Sequence, residues 1–170
     1  LKVLDLNPEH SEANYLNWLI YAQLGRYSEG WRYFEYRWKV SPFNKVVWPI
    51  QDTPLWKGER GKRVAVWREQ GIGDEIIFLS LLGEVKEMCA SLWVYVDPRL
   101  QTLCRNAMPE INFVKDVEEL QKVECDYHLP IQSLGGLIRN DIRDFDRTVK
   151  GYLKADPKRV ETIRDELQLE

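Results

Sequence analysis

The strongest constraint on this chain is an apolar, β-branched run that ends in a glycine turn and continues into a stretch opening with acids. The run is Val64-Ala65-Val66-Trp67, the turn is Gly71-Ile72-Gly73, and the acids are Asp74 and Glu75. This order predicts a strand, a loop and a helix. In a parallel α/β domain such a junction lies at the carboxyl edge of the sheet, where ligands bind and where a helix presents unpaired N–H groups.

The glycines of this turn leave two interpretations open. Gly71 and Gly73 permit positive φ and close approach of a ligand to the backbone, and an acid at the start of the helix interacts favourably with its positive end. The alternative is a glycine turn with a capped helix and no ligand, in which Asp74 has only a structural role.

Strands and helices alternate through residues 63–156, which predicts one α/β domain with a parallel sheet covered on both faces. Ser133 and Gly135 follow the last predicted strand and should lie at the same carboxyl edge as the glycine turn. The predicted strands are 63–68, 92–96, 111–114 and 126–130. The predicted helices are 74–89 and 98–106, and 117–123 is a short helix or a turn.

Residues 1–42 have helical periodicity. A helix closes before Pro8, a second begins at Ser11, and a third is predicted from Tyr27 to Val40, where Pro42 stops it. Residues 43–62 are rich in proline and tryptophan, which predicts an ordered connector packed on both neighbours. Residues 157–170 are predicted to form a terminal helix.

Composition limits the classes of partner. The net charge is −3 and no block of like charges occurs, which disfavours nucleic acid. No stretch is long and apolar enough to span a membrane, so a cytoplasmic location is expected. The three cysteines lack metal-ligand spacing, so no metal site is expected. Both common nucleotide fingerprints fail, because Ile76 stands where a third glycine would be needed and no phosphate-loop motif occurs.

The helical segment resembles the tetratricopeptide repeat. Pro8 and Pro42 are 34 residues apart, which is the period of that repeat. Matching positions are Tyr21, Leu24-Gly25-Arg26-Tyr27, Gly30, Phe34 and Pro42.

Three residues depart from the repeat pattern: Asn17, Trp18 and Arg37. Bulky Trp18 opposite Gly30 is interpreted as a compensating exchange, and the departures suit a terminal repeat that docks on another domain. The dense aromatic residues between Trp31 and Trp38 have two interpretations, packing or ligand stacking, and packing is favoured.

The α/β segment resembles, together with the repeat, bacterial proteins that fuse tetratricopeptide repeats to a heptosyltransferase-like glycosyltransferase module. That family has two Rossmann-like halves facing each other across a cleft, the GT-B architecture. The segments that carry the resemblance are Glu69-Gln70-Gly71-Ile72-Gly73-Asp74, Tyr95-Val96-Asp97-Pro98-Arg99-Leu100, Asp126-Tyr127-His128-Leu129-Pro130 with Ser133-Leu134, and Tyr152-Leu153-Lys154-Ala155-Asp156.

The resemblance implies an acceptor-side half in which Asp74 is the general base that takes the proton of the acceptor hydroxyl. A nucleotide-sugar donor would need a C-terminal domain that this chain lacks, so no cofactor is expected here and the fragment alone should not turn over. Glu69 and Gln70 depart from the basic residue that often precedes the motif. Expected ligand-binding residues are Glu69, Gln70, Gly71, Ile72, Gly73, His128, Ser133 and Gly135.

The expected function is therefore sugar transfer to a glycan or protein hydroxyl, with the repeats holding the acceptor or a partner protein. The alternative is a scaffold without catalysis, in which the repeats mediate protein–protein interaction. For His128 and Gly135 a structural role stays open beside ligand binding.

Overall fold

A four-stranded parallel sheet lies at the centre of the computed structural model, which describes residues 2–147 and 151–168. The strand order is β3-β2-β1-β4, and every neighbouring pair is parallel. The predicted α/β class and parallel sheet are confirmed, and each predicted strand agrees within one residue at either end. The strands are β1 Arg63–Trp67, β2 Ser91–Tyr95, β3 Asn112–Val114 and β4 Tyr127–Pro130.

Helices precede the sheet, connect its strands and follow it. In the described ranges they are α1 Lys2–Leu6, α2 Ser11–Gln23, α3 Tyr27–Phe34, α4 Ile72–Leu79, α5 Leu82–Met88, α6 Gln101–Ala107, α7 Val117–Leu120, α8 Leu134–Ile138 and α9 Pro157–Leu167.

Strand β1 is buried on both faces because it has a neighbour on each side and a layer above and below. Val64 and Val66 contribute to the larger core, which α4, α5, α6 and α8 complete. Ala65 and Trp67 face the smaller core, where Trp48 of the connector and Leu120 of α7 pack. A continuous apolar run is what a central parallel strand requires.

The chain changes direction across the sheet between β1 and β4. From β1 it proceeds to β2 and β3 on one side, and β4 then pairs on the other side of β1. In open α/β sheets the crevice at such a reversal, outside the carboxyl ends of the two strands, is the usual ligand site. The glycine turn after β1 and the segment after β4 both border this crevice.

Helices α2 and α3 pack together as a helical hairpin, which ends in a 3₁₀ segment over Glu35–Lys39. A Cβ placed on Gly30 would lie 3.1 Å from the Trp18 ring, so the large residue does occupy the space that the small one leaves. The predicted single helix from Tyr27 to Val40 is wrong beyond Phe34, because the last turn tightens and Arg37 is directed into the interior. Helix α2 begins at Ser11 as predicted; the sequence favours the Ser11 side chain as its cap, but the cap is His10, whose Nδ1 accepts from the Ala13 amide.

The predicted helix over 74–89 is two helices. Helix α4 already begins at Ile72 and ends at Leu79, and α5 begins at Leu82. The Ser80 hydroxyl donates to the Ile77 carbonyl at 2.6 Å, a local bond that competes with helix continuation. Helix α6 likewise begins at Gln101 rather than Pro98, because the Asp97 carboxylate accepts from the Arg99 amide and forms a turn there.

The connector is ordered and contacts both neighbours. Trp56 is buried, and its amide donates to the His128 carbonyl of β4 at 2.9 Å. Trp48 lies 5.3 Å from Trp38 of the 3₁₀ segment and 5.6 Å from Trp67 of β1, measured between ring centroids. Beyond the domain, α9 starts at Pro157 as predicted, with the Asp156 carboxylate as its cap. The predicted extension to Glu170 and the first residue, Leu1, lie outside the described residues.

Candidate functional site

The glycine turn, residues 69–74, leaves β1 at the carboxyl edge of the sheet and enters α4. Gly71 is extended, with φ −66° and ψ 156°, and Gly73 lies in the first turn of the helix. Neither has positive φ, so the turn does not use the left-handed freedom that glycine offers. The absence of side chains instead leaves the turn open, because a Cβ on Gly73 would meet nothing within 4 Å.

Asp74 occupies the third position of α4 and is exposed to solvent. Its Oδ2 would lie 3.4 Å from a Cβ on Gly71, so the carboxylate folds back over the turn. Gly71 precedes the helix without any side-chain cap bond. A carboxylate in the first turn is still favoured by the helix dipole. The hydrogen bond on which a capping role would depend is missing, so the carboxylate is available to a ligand.

Glu69, the first residue of the turn, is held by Arg37 of the 3₁₀ segment. Arg37 Nε donates to Glu69 Oε2 at 2.8 Å, and Arg37 Nη2 donates to Glu69 Oε1 at 3.2 Å. The two side chains are 0% and 1% exposed. Glu69 Oε1 also accepts from the Gln132 amide at 3.0 Å, immediately after β4. This carboxylate therefore joins both strands that flank the crevice to the helical hairpin.

Ser133 completes what we call the Arg37 cluster: Arg37, Glu69, Ser133 and Glu35. Its hydroxyl accepts from Arg37 Nη2 at 2.7 Å and donates to Glu35 Oε1 at 2.7 Å. Glu35 is half exposed and lies 3.1 Å from Arg37 Nη1. The guanidinium fills the crevice between the ends of β1 and β4, where a ligand would otherwise be expected.

The charges of the Arg37 cluster and of Asp74 shift the pKa values of neighbouring groups. Burial raises the pKa of Glu69, and the charge and hydrogen bonds of Arg37 oppose that rise. Burial also raises the pKa of Tyr15 on α2, while Arg37 lowers it and the carboxylates of Asp74 and Glu69 raise it further. The charges of the glycine turn and of Arg37 thus act on the same tyrosine of α2.

A second ionic cluster holds the far end of the turn. Glu75, whose side chain is 1% exposed, accepts from Arg68 Nε at 3.1 Å and from the Asp97 amide at 2.5 Å. Asp97 also pairs with Arg68 at 2.9 Å and with Arg99 at 2.9 Å. Hydrogen bonds from Arg99 hold the pKa of Asp97 well below its usual range. The turn is thus anchored by a buried carboxylate on each side of the glycines.

An open cleft of about 860 Å³ lies beside this edge, between the connector and α7. Its floor includes Tyr95 and the largely buried Trp67, and Trp48 forms part of the connector wall. Arg68 and Asp52 add charge of both signs. Aromatic faces combined with a few polar groups are typical of small-molecule sites.

His128 lies below the edge, because it pairs with Ala65 in the middle of the sheet. It is 2% exposed, and its Nδ1 accepts from Trp67 Nε1 at 2.9 Å. Burial lowers its pKa, which favours the neutral ring. The structural role that the sequence left open therefore describes its surroundings better than ligand binding does.

Gly135, on α8, is covered by the hairpin. A Cβ there would lie 2.3 Å from the Trp31 ring, and Trp31 Nε1 donates to the Arg139 carbonyl at 2.6 Å. The missing side chain of Gly135 permits this close packing of Trp31 on α8, on the apolar side of the hairpin and away from the glycine turn. The aromatic side chains Trp31 and Trp38 likewise serve packing between the hairpin and the domain.

The structure thus brings part of the predicted set together. Glu69, Gly71, Gly73 and Asp74 line the turn, and Ser133 joins them through Arg37. Ile72 packs towards the main core, and Gln70 is half-buried. Sequence reasoning missed Arg37, Glu75 and Asp97 as site residues. The signal for Arg37 was its departure from the repeat pattern.

Across residues 2–147 and 151–168, no group of three or more potential ligands could hold a metal ion, and the three cysteines are free. None of the helices in these ranges has the length and apolar character that crossing a membrane requires.

Fold and site together define an α/β domain with a glycine turn at the carboxyl edge of its parallel sheet and a helical hairpin docked on that edge. The chain is similar to Protein FlbA of Caulobacter vibrioides, with 32% identity over 97 residues. The match covers 54% of this chain and 16% of FlbA, so the chain spans a small part of that relative's length. No protein-family model and no solved structure matches the chain.

Proposed function

We propose that this chain is a terminal tetratricopeptide repeat joined to the Rossmann-like acceptor half of a heptosyltransferase-like glycosyltransferase. The reaction is transfer of a sugar from a nucleotide-sugar to a hydroxyl of a glycan or protein. One observation carries the proposal: an exposed carboxylate without a protein partner in the described residues, Asp74, stands on the open glycine turn at the carboxyl edge of the sheet.

The chemistry fits that carboxylate. The acceptor O–H donates to Asp74, which takes the proton as the oxygen bonds to the anomeric carbon. The bond from that carbon to the donor phosphate breaks, and the nucleoside diphosphate leaves with the electron pair. The cleft lined by Trp48 and Tyr95 gives the acceptor a surface beside the turn.

Donor binding is assigned to a second domain outside this chain. The turn has Ile76 where a diphosphate cradle would need its third glycine. The crevice between β1 and β4 is filled by Arg37 rather than open to a nucleotide. The 170-residue chain alone is therefore expected to bind acceptor and not to catalyse transfer.

A scaffold without catalysis is the second candidate function, favoured by exposed apolar residues on α2 and at its C-cap, Leu24. Leu16, Leu19, Ile20 and Leu24 are 54%, 44%, 44% and 62% exposed. Repeats of this kind bury such faces against a neighbouring repeat or a partner protein. In this case the hairpin alone acts, and Asp74 is dispensable.

The experiment is transfer by the intact natural protein from radiolabelled uridine, guanosine, adenosine and cytidine nucleotide-sugars. Asp74→Asn keeps the size of the side chain and removes the base, so transfer should fall by about 10²–10⁴-fold. Asp165→Asn, at an exposed position on α9, is the matched control and should transfer normally. Equal rates in wild type and a folded Asp74→Asn variant would favour the scaffold.

A further inference from the structure

Two residues that depart from two different sequence patterns are partners in the structure. Arg37 departs from the repeat pattern late in its second helix, and Glu69 departs from the basic residue expected before the glycine turn. Their side chains meet at 2.8 Å, fully buried. Each departure supplies the charge that the other needs, since an unpaired buried charge is strongly unfavourable.

The position of this pair decides what it does. Glu69 is the first residue of the turn, and its second oxygen receives the Gln132 amide from the segment after β4. The glycines beyond it have no such support, because a Cβ on Gly73 would meet nothing and one on Gly71 would meet only Asp74. Between the anchors at Glu69 and Glu75, Ile72 packs on the main core, but the two glycines themselves are held by backbone alone.

We propose that Arg37 is a positioning residue: the helical hairpin reaches into the crevice between β1 and β4 and, through Glu69, fixes the turn that carries Asp74. The inference rests on the proposed function only for the role given to Asp74. The hairpin is thereby part of the site's construction rather than a separate module attached beside it. Arg37 does not touch the reacting atoms, because it is fully buried behind Glu69.

Other contacts of α2 agree with a hairpin docked along the turn. Trp18 and Ile77 line the same apolar cavity, which places α2 beside α4. Tyr15 is one turn before Trp18, and Asp74 is one turn before Ile77. The charge of Asp74 also acts on Tyr15 of α2, as described above.

A purely stabilising role makes a different prediction. A buried ion pair can often be exchanged for apolar side chains with no loss of stability. If Arg37 only stabilises the fold, such an exchange restores both stability and the order of the turn. If Arg37 positions the turn, the exchange restores stability, but the bonds that Glu69 makes to Arg37 and to the Gln132 amide are lost and the turn becomes mobile.

The test is backbone ¹⁵N relaxation of the 170-residue chain, read at Gly71 and Gly73 and compared with strand β1. In the wild type both glycines should have order parameters near those of rigid backbone, about 0.85. In Arg37→Met, and in the double variant Arg37→Met with Glu69→Leu, they should fall below about 0.6 while β1 stays rigid.

Arg139→Met is the matched control. Arg139 is 1% exposed and pairs with Glu84 of α5, which is 36% exposed, so it is a second buried arginine in an ion pair, and neither partner belongs to the turn. Its loss should destabilise the protein and leave the glycine order parameters unchanged. If Arg37→Met alone does not fold, the double variant decides, because its apolar pair leaves no buried charge.

Rigid glycines in the double variant would overturn the proposal, and so would a loss of order in Arg139→Met equal to that in Arg37→Met. The readout needs no catalysis. An intact protein without transfer activity would contradict the proposed function and leave this result valid.

Discussion

Gly135→Ala is expected to weaken the docking of the hairpin on α8. The added Cβ would lie 2.3 Å and 2.6 Å from two atoms of the Trp31 ring, where about 3.4 Å is the onset of ordinary contact. The ring would have to retreat by about 1 Å. It is held there by its bond to the Arg139 carbonyl at 2.6 Å and by Trp18, 4.3 Å away between ring centroids.

The magnitude follows from two opposing effects. Overpacking a fixed aromatic ring costs about 1–3 kcal/mol. Replacing glycine by alanine within a helix returns about 0.5–1 kcal/mol. The difference is a net loss of unfolding free energy of up to about 2.5 kcal/mol, centred near about 1.3 kcal/mol. With an m-value of about 2 kcal/mol/M, the urea midpoint of the 170-residue chain should fall by about 0.6 M.

Gly83→Ala is the matched control. Gly83 is the second residue of α5, as Gly135 is of α8, and a Cβ there would meet nothing within 4 Å. Gly83→Ala should leave the free energy of unfolding unchanged or raise it by up to about 1 kcal/mol, so its urea midpoint should stay the same or rise. If Gly135→Ala were as stable as Gly83→Ala, the close packing of Trp31 on α8 would be refuted.

Three further predictions concern buried groups. Trp67→Phe removes the donor to His128 Nδ1, and the unsatisfied ring should cost about 1–3 kcal/mol in urea unfolding. Trp93→Phe, at a half-buried position of β2 that packs on the same smaller core, should cost less. Burial lowers the pKa of His128 below its ordinary value of 6.5, so the unfolded chain binds the proton more readily than the folded protein does. The free energy of unfolding of the wild type should therefore fall as the pH drops from 7 towards 5, and it should fall less in His128→Asn. An equal fall in both proteins would contradict this prediction. Burial raises the pKa of Cys89 and of Cys104 to about 11, so neither thiol should react with a thiol reagent at pH 8 in the folded protein. All three cysteines should react once urea unfolds the chain. Rapid reaction of three thiols in the folded protein would contradict this prediction.

The sheet was predictable from sequence because its determinants are local. The apolar run at 64–67 defines a central strand by itself, and the alternation of strands with helices defines the parallel arrangement. Helix ends were less predictable. The break at Ser80 depends on one side-chain bond to the Ile77 carbonyl, which periodicity does not reveal.

The sequence predicted where the candidate site lies, but not which residues hold it in position. The turn and Asp74 were found because a strand–glycine–acid order is visible over a dozen residues. The partner of Glu69 was not, since Arg37 lies 32 residues away in a different element. For Gly135 the sequence could not decide between ligand binding and a structural role, because the Trp31 ring that covers it comes from the hairpin. Such contacts depend on how the hairpin docks, which no local pattern specifies.

The central claim is that the Asp74 carboxylate acts as a base at the carboxyl edge of the sheet. The most direct measurement is the transfer rate of the intact protein carrying Asp74→Ala, with and without added formate. The side-chain cavity admits a small carboxylate beside the exposed turn, so formate should restore part of the lost rate in this variant and leave the wild-type rate unchanged. A wild-type rate in Asp74→Ala without formate would contradict the claim.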